Sequence, residues 1–207
     1  MPRIGCVVLP GVVFAFWQGC QQLDAASVVI CHDGRVNSPS SVHVRPARVE
    51  DQAVLAALDA AAWSPQSAFP SVIQSGSGPE LAFFSSENPP EIHLVAEMDD
   101  ILVGYIRLKP PTHLPENAHV IQVSGLAVHP SSRRRGIAAA LLAAAGHHAL
   151  ARGGRKLSLR VLSTNQPAIG LYERLGFERE GVLRSEFHIN GTYVDDVLMA
   201  MSLQGGA

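Results

Sequence analysis

The chain has 207 residues, 47% hydrophobic and 16% charged, so it can bury one domain-sized core and is too apolar for a wholly disordered protein. Sixteen basic and eighteen acidic residues leave a formal charge of -2, which excludes a strong overall attraction to nucleic acid or anionic lipid. Cys6, Cys20 and Cys31 are the three cysteines; an odd number without Cys-x-x-Cys or Cys/His ligand spacing supports neither a disulfide framework nor a zinc site.

Arg3 precedes an apolar run, Ile4 to Trp17, shaped like a secretory n-region and h-region. The run is shorter than the roughly 20 residues a spanning helix needs, and Trp17 to Cys20 offers no small-x-small cleavage site. Asn37 to Ser41 is a linker by composition. Residues 1–41 therefore read as a poorly ordered or mis-assigned N-terminal extension, and residues 42–207 as the working domain. Val42 is a candidate non-ATG start, since no Met follows Met1 until Met98. With no spanning segment and no cysteine after Cys31, a reducing cytoplasm is the expected compartment.

Val42 to Ala47 reads as the first strand of that domain. Asp51 is placed to cap a helix running to about Ala62, with Val54, Leu55, Leu58 and Ala61 on one stripe. A Ser/Pro/Gly-rich stretch from Ser64 to Pro79 is expected to hold a short second helix bordering a ligand groove. Ile92 to Glu97 and Ile101 to Leu108 flank Asp99-Asp100 and form a hairpin signal, ended by Pro110-Pro111. His119 to Val128 is a long strand candidate. After three arginines and Gly136, an Ala/Leu helix runs to about Arg152 and stops at Gly153-Gly154. Leu157 to Leu162 is a short buried strand; a helix begins at Pro167 and ends at Gly176. Ser185 to Ile189 pairs with Tyr193 to Met201 across Asn190-Gly191, which suits a primed turn. Strands and helices mix without regular alternation, so the expected class is α+β (mixed α/β) with one largely antiparallel sheet.

Chemistry concentrates between Gln122 and Ala138, where a strand feeds a basic loop that opens into a helix. Peptide N–H groups at a helix start are unpaired and favour an anion. Gly136 permits close backbone approach, Ala138 is small, and Arg133, Arg134 and Arg135 add charge-assisted donors. The pattern fits a diphosphate cradle. It lacks both Gly-x-x-x-x-Gly-Lys-Ser/Thr and Gly-x-Gly-x-x-Gly, which excludes the triphosphate loop and the dinucleotide fingerprint.

Arg133-x-x-Gly136-x-Ala138, after a strand ending Leu126 to Pro130, resembles the Arg/Gln-x-x-Gly-x-Gly/Ala motif of the GNAT acetyltransferases. A second GNAT-like signature follows at Asn165, Ala168, Leu171, Tyr172, Gly176 and Phe177. The resemblance covers roughly Val42 to Leu203. It implies the GNAT fold, with about six to seven strands and about four helices. It also implies transfer of the acetyl group of acetyl-CoA to a primary amine by direct attack through a tetrahedral intermediate, without a metal. The amine would belong to an amino acid, a polyamine or a protein or peptide. In this likeness Leu126, Ala127 and Val128 pair with the pantetheine arm, and Arg133, Arg134, Arg135, Gly136, Ile137 and Ala138 bind the pyrophosphate. Asn165 holds the cofactor, and Tyr172 faces the thioester sulfur as the catalytic residue. GNAT proteins often dimerise through their C-terminal strands, so a homodimer is an expectation of the same kind. No nucleic-acid or membrane partner is implied.

The thiolate leaving group needs a proton or a hydrogen bond, which a phenol can supply. Tyr172 also lies on the stripe Ala168, Leu171, Tyr172, Leu175, the setting of an ordinary core tyrosine. The base is left open. Gln122 and Ser124 occupy the positions where many GNAT enzymes carry Glu or His. His119, His113, Glu97 or a water relay are the alternatives, with His129 read as a turn residue and His147-His148 as surface. Asp195, Asp196 and Glu186 are candidates for attracting a cationic amine. The rival reading is a non-catalytic acyl-CoA sensor with the same fold.

Overall fold

A computed structural model describes the backbone of residues 4–9, 12–17 and 26–30, and backbone and side chains of residues 42–62 and 82–203. The expected helix between Ser64 and Pro79 and the linker before Val42 lie outside the described residues. Strands β1 (Ile4–Leu9), β2 (Val12–Trp17) and β3 (Ala26–Ile30) pair antiparallel in order, and β3 pairs with β4 (Val42–Pro46). Among the described residues no helix is long and apolar enough to cross a membrane.

From β4 onward the fold is mixed α+β. The strands are β5 (His93–Met98), β6 (Ile101–Lys109), β7 (Val120–Val128), β8 (Lys156–Leu162), β9 (Glu178–Ile189) and β10 (Thr192–Ser202). Their order is β4-β5-β6-β7-β8-β10-β9. Every pairing is antiparallel except β7 with β8, which are joined through a helix. The helices are α1 (Gln52–Ala62), α2 (Ile137–Ala151) and α3 (Gln166–Arg174).

Local chemistry accounts for the boundaries. Asp99 and Asp100 turn β5 into β6 at φ 52° and 61°, a conformation Asp tolerates better than most residues. Asn190 and Gly191 do the same between β9 and β10 at φ 49° and 81°. Asp51 acts one turn ahead of α1: its carboxylate accepts the Arg48 amide at 2.7 Å and the Arg45 guanidinium at 2.8 and 2.9 Å. On α1 the buried positions are Leu55, Ala56, Leu58 and Ala62, whereas Val54 and Ala61 face solvent, so the stripe is rotated from the expected one.

Two apolar clusters sandwich the sheet. On one face α1 covers Val95, Tyr105 and Ala127. On the other, α2 and α3 join residues of β4 to β8 and β10. Alanines and Gly146 let α2 approach closely, and Gly104 on β6 completes the contact. A Cβ at Gly104 would lie 2.9 Å from the Ala127 carbonyl and 3.2 Å from both Ile137 Cγ2 and Leu141 Cδ1. Such a fit fixes α2 against the middle of β6.

Candidate active site

β7 and β8 pair only from Val120↔Lys156 to Val123↔Leu159. Beyond that, Arg160 to Leu162 bond to β10, while Gly125 to Val128 bond to β6, and the two parallel strands separate. The β6 register passes from Leu108↔Val123 to Arg107↔Gly125, leaving Ser124 as an extra residue. This bulge bends β7 where it leaves β8. A wedge opens there, and alternate peptide groups of β7 turn into it without a strand partner. Ala127 packs under α1 and Leu126 and Val128 pack toward α2, so the predicted trio meets the wedge through its backbone.

The wedge leads to the basic loop. His129 is fixed by its amide on the Val103 carbonyl at 2.8 Å, and Pro130–Ser132 forms a single 3-10 turn. Arg134 (φ 61°) and Gly136 (φ 79°) then adopt left-handed backbone, which reverses the chain into α2. Gly136 is the N-cap; its carbonyl accepts the Ala140 amide at 3.0 Å, and no side chain caps this end. Amides of the first turn, at Ile137, Ala138 and Ala139, therefore have no intrahelical partner, and the helix dipole is positive there. Arg134 and Arg135 are exposed, and Ala138 is half-buried. Ile137 sends its side chain into the core, so only its peptide can serve a ligand. Arg133 is anchored to the rest of the fold. Its Nε donates to the Val128 carbonyl at 3.3 Å and its Nη2 to the Ala62 carbonyl, tying the loop to the last turn of α1.

Across the wedge, Asn165 caps α3 through Oδ1, which accepts the Ala168 amide at 3.3 Å. Oriented this way, its side-chain amide remains a donor at the end of β8. Tyr172 is buried on α3, its ring 5.7 Å from that of Phe177. Burial alone pushes its phenol up to about 12, so it is a proton donor and never a base near neutrality.

The sequence also matches the family model for the acetyltransferase (GNAT) family over residues 58–177, more than half of the chain. The chain belongs to the GNAT family. An acetyltransferase of Yersinia pestis is 34% identical over 94 residues, which cover 45% of this chain and 62% of that protein. The alignment thus spans less than two thirds of the curated relative. The smu.2055 protein of Streptococcus mutans has a TM-score of 0.64 at 28% identity, covering 78% of this chain and 99% of its own. The yncA protein of Salmonella typhimurium, solved with its cofactor acetyl-CoA, shares the fold with a TM-score of 0.62 at 18% identity, over 81% and 97% of the two chains.

Within the GNAT framework the candidate bases occupy distinct settings. Glu97 is engaged by Arg45 at 2.5 Å and lies 3.7 Å from His43 Nδ1. His113 and His119 are exposed, and His129 Nδ1 sits 2.7 Å from Ser131 Oγ within the turn. Among the candidates for holding an amine, Asp196 is buried and paired with Arg160, whose Nη2 also reaches Glu186 at 3.3 Å. Asp195 Oδ1 accepts the Ser185 amide at 2.8 Å, holding the kink in β9.

Two polar residues on the row that crosses β5, β6 and β7 drew no attention in the sequence. His93 on β5 and Arg107 on β6 pair directly across the strands, and Arg107 in turn pairs with Gly125 on β7. His93 is 1% exposed and is pushed down to about 4, chiefly by burial, so it is neutral. Its Nδ1 lies 2.9 Å from the Pro89 carbonyl. A faint signal was present: Arg107 interrupts the otherwise apolar run Ile101 to Leu108.

Proposed function

We propose that this GNAT protein is an acetyl-CoA-dependent N-acetyltransferase acting on a primary amine. The observation that carries the proposal is the junction of the β7/β8 wedge with the uncapped start of α2. An elongated ligand with an anionic end fits both at once: unpaired strand peptides along its length, and helix amides with Arg134 and Arg135 at the charged end.

The residues divide the work as follows. Amides of Gly136, Ile137 and Ala138 take phosphate oxygens, and Arg133 supports them by locking the loop to β7 and α1. The peptides of Leu126 to Val128 align the arm by strand-like hydrogen bonds, and the Asn165 amide donates from the other side. A peptide N–H near Leu126 stabilises negative charge on the acetyl oxygen as the amine attacks. When bound, acetyl-CoA supplies an activated acyl group: the amine nitrogen bonds to the acetyl carbon, the C–S bond breaks, and the nitrogen loses a proton. Tyr172 donates a hydrogen bond to the departing sulfur. With a phenol near 12 and an alkyl thiol near 8.5, outright proton transfer from Tyr172 would be uphill by about 5 kcal/mol. The proton balance therefore closes with the amine's proton reaching sulfur or solvent.

The full chain tests this reading by thermal unfolding with and without acetyl-CoA. At about 100 times Kd the ligand adds roughly 2.7 kcal/mol, several degrees in Tm. Gly136→Glu should abolish the rise, because a side chain at positive φ and a carboxylate both oppose an anion there. A folded protein whose Tm is unmoved by millimolar acetyl-CoA would refute the proposal. A rise without turnover of any amine would make the protein a sensor of acyl-CoA.

A further inference from the structure

On the side of the sheet that carries α1, β6 presents two cations, while Asp59 of α1 accepts the Tyr105 hydroxyl. Arg107 and Lys109 lie two residues apart on β6 and so share a face. Arg107 Nη1 donates to Asn88 Oδ1 at 2.9 Å and Nη2 to the Ser124 carbonyl at 3.3 Å, while Lys109 Nζ donates to the Glu87 carbonyl at 2.8 Å. Among the described residues neither forms an ion pair. Arg45, Arg160 and Arg179, by contrast, each meet a carboxylate.

The Arg107 guanidinium lies flat against the site strand. A Cβ at Gly125 would stand 3.0 Å from its Nη2 and 3.3 Å from its Nε, so glycine is what lets it settle there. Its Nε is buried without a hydrogen-bond partner, as is Nε2 of His93 on the paired position of the next strand. Since the Pro89 carbonyl accepts from Nδ1, His93 Nε2 carries a lone pair and no charge, and it does nothing to neutralise Arg107. Orphaned buried polar atoms of this kind are rare where a residue serves only packing. Arg107 is half-buried beside exposed Ser124, the bulge at the mouth of the wedge.

We infer that Arg107, oriented by Asn88 and the Ser124 carbonyl and assisted by Lys109, binds the carboxylate of an α-amino-acid acceptor. The inference rests on the acetyltransferase reading and deepens it. Amine and carboxylate of such a substrate share one carbon, so an acid held at Arg107 over Gly125 brings the nitrogen to the Ser124–Leu126 edge of the wedge. A polyamine would meet like charge at the same place.

Full-length protein is assayed with acetyl-CoA against a panel of α-amino acids, their matched carboxamides, and putrescine and spermidine, following thiol release. The acids should exceed their own amides in kcat/KM by on the order of 10- to 100-fold, the range for losing a charge-assisted hydrogen bond. Arg107→Gln should erase that preference mainly through KM, and Arg107→Lys should keep part of it. The acetyl-CoA-induced rise in Tm should persist in both variants. Amides or diamines used as well as or better than the acids by the unaltered protein would overturn the inference while leaving the enzyme reading intact. So would an Arg107→Gln variant that retains the preference. The wild-type comparison decides the matter even where a variant fails to fold. Absence of turnover on every amine, with acetyl-CoA still raising Tm, would overturn both.

Discussion

At Tyr172 a packing role is visible in the structure, and the proposed chemical role can be tested separately from it. Its ring belongs to the cluster under α2 and α3, and the burial that packs it also holds the phenol protonated, at about 12. Replacing it with Phe keeps the ring and removes only the hydroxyl. Tyr172→Phe should lower kcat by roughly 10- to 100-fold with little change in the acetyl-CoA-induced Tm shift. Its pH–rate profile should keep its shape near neutrality, since burial holds the Tyr172 phenol protonated there. An unchanged kcat in steady-state assays would make Tyr172 a core tyrosine and nothing more. The motif positions of Tyr172, Asn165 and Gly136 were readable from the resemblance to the two GNAT signatures. The use of Arg133 was not. The resemblance implies a phosphate contact for it, and in the structure its side chain also reaches the Ala62 carbonyl, 71 positions away in sequence. Local pattern carries no information about a partner so distant along the chain.

Among the elements, α2 and β7 decide the site together. α2 is apolar all round, so sequence periodicity could not say which side meets the sheet; the choice falls to Gly104, where two side chains and a carbonyl close in. Gly104→Ala should therefore cost about 1–3 kcal/mol of stability by forcing α2 away from β6 and β7. It should also weaken acetyl-CoA, because the start of α2 moves with the rest of the helix. Urea unfolding and ligand-dependent Tm measure the two effects separately. A neutral substitution would show that α2 is free to shift. Both hairpin turns were legible because Asp99-Asp100 and Asn190-Gly191 declare left-handed backbone by residue type. The Ser124 bulge was not legible. Serine is unremarkable in a strand, and the bulge exists because β6 and β8 demand different registers of β7.

At the scale of the whole molecule, a neutral histidine between two sheet strands couples stability to pH. The folded pKa of His93 is about 4 against 6.5 for an ordinary histidine, so the folded state binds fewer protons than the unfolded one. His93 therefore costs nothing above pH 6.5, and stability falls as pH drops from 6.5 toward 4, by about 3 kcal/mol in full. Urea unfolding at pH 7 and pH 4.5 should show this loss, and His93→Phe, which keeps a ring among Phe83, Phe84 and Tyr105, should show a smaller one. Parallel losses in the two proteins would mean that His93 does not govern the transition. Asp51, held below the usual carboxylate range chiefly by its bond to Arg45, adds its own loss at lower pH in both proteins alike.

By itself the sequence determined the mixed α+β class, the hairpin turns, the glycine-bearing basic loop before α2 and the family, because each is written in residues adjacent along the chain. Only the tertiary structure decided where β7 parts from β8, which face α2 presents, what Arg133 holds, and that His93, Arg107 and Gly125 form one row. Those outcomes depend on register between strands far apart in sequence, and register is settled by packing of the whole sheet rather than by any single segment.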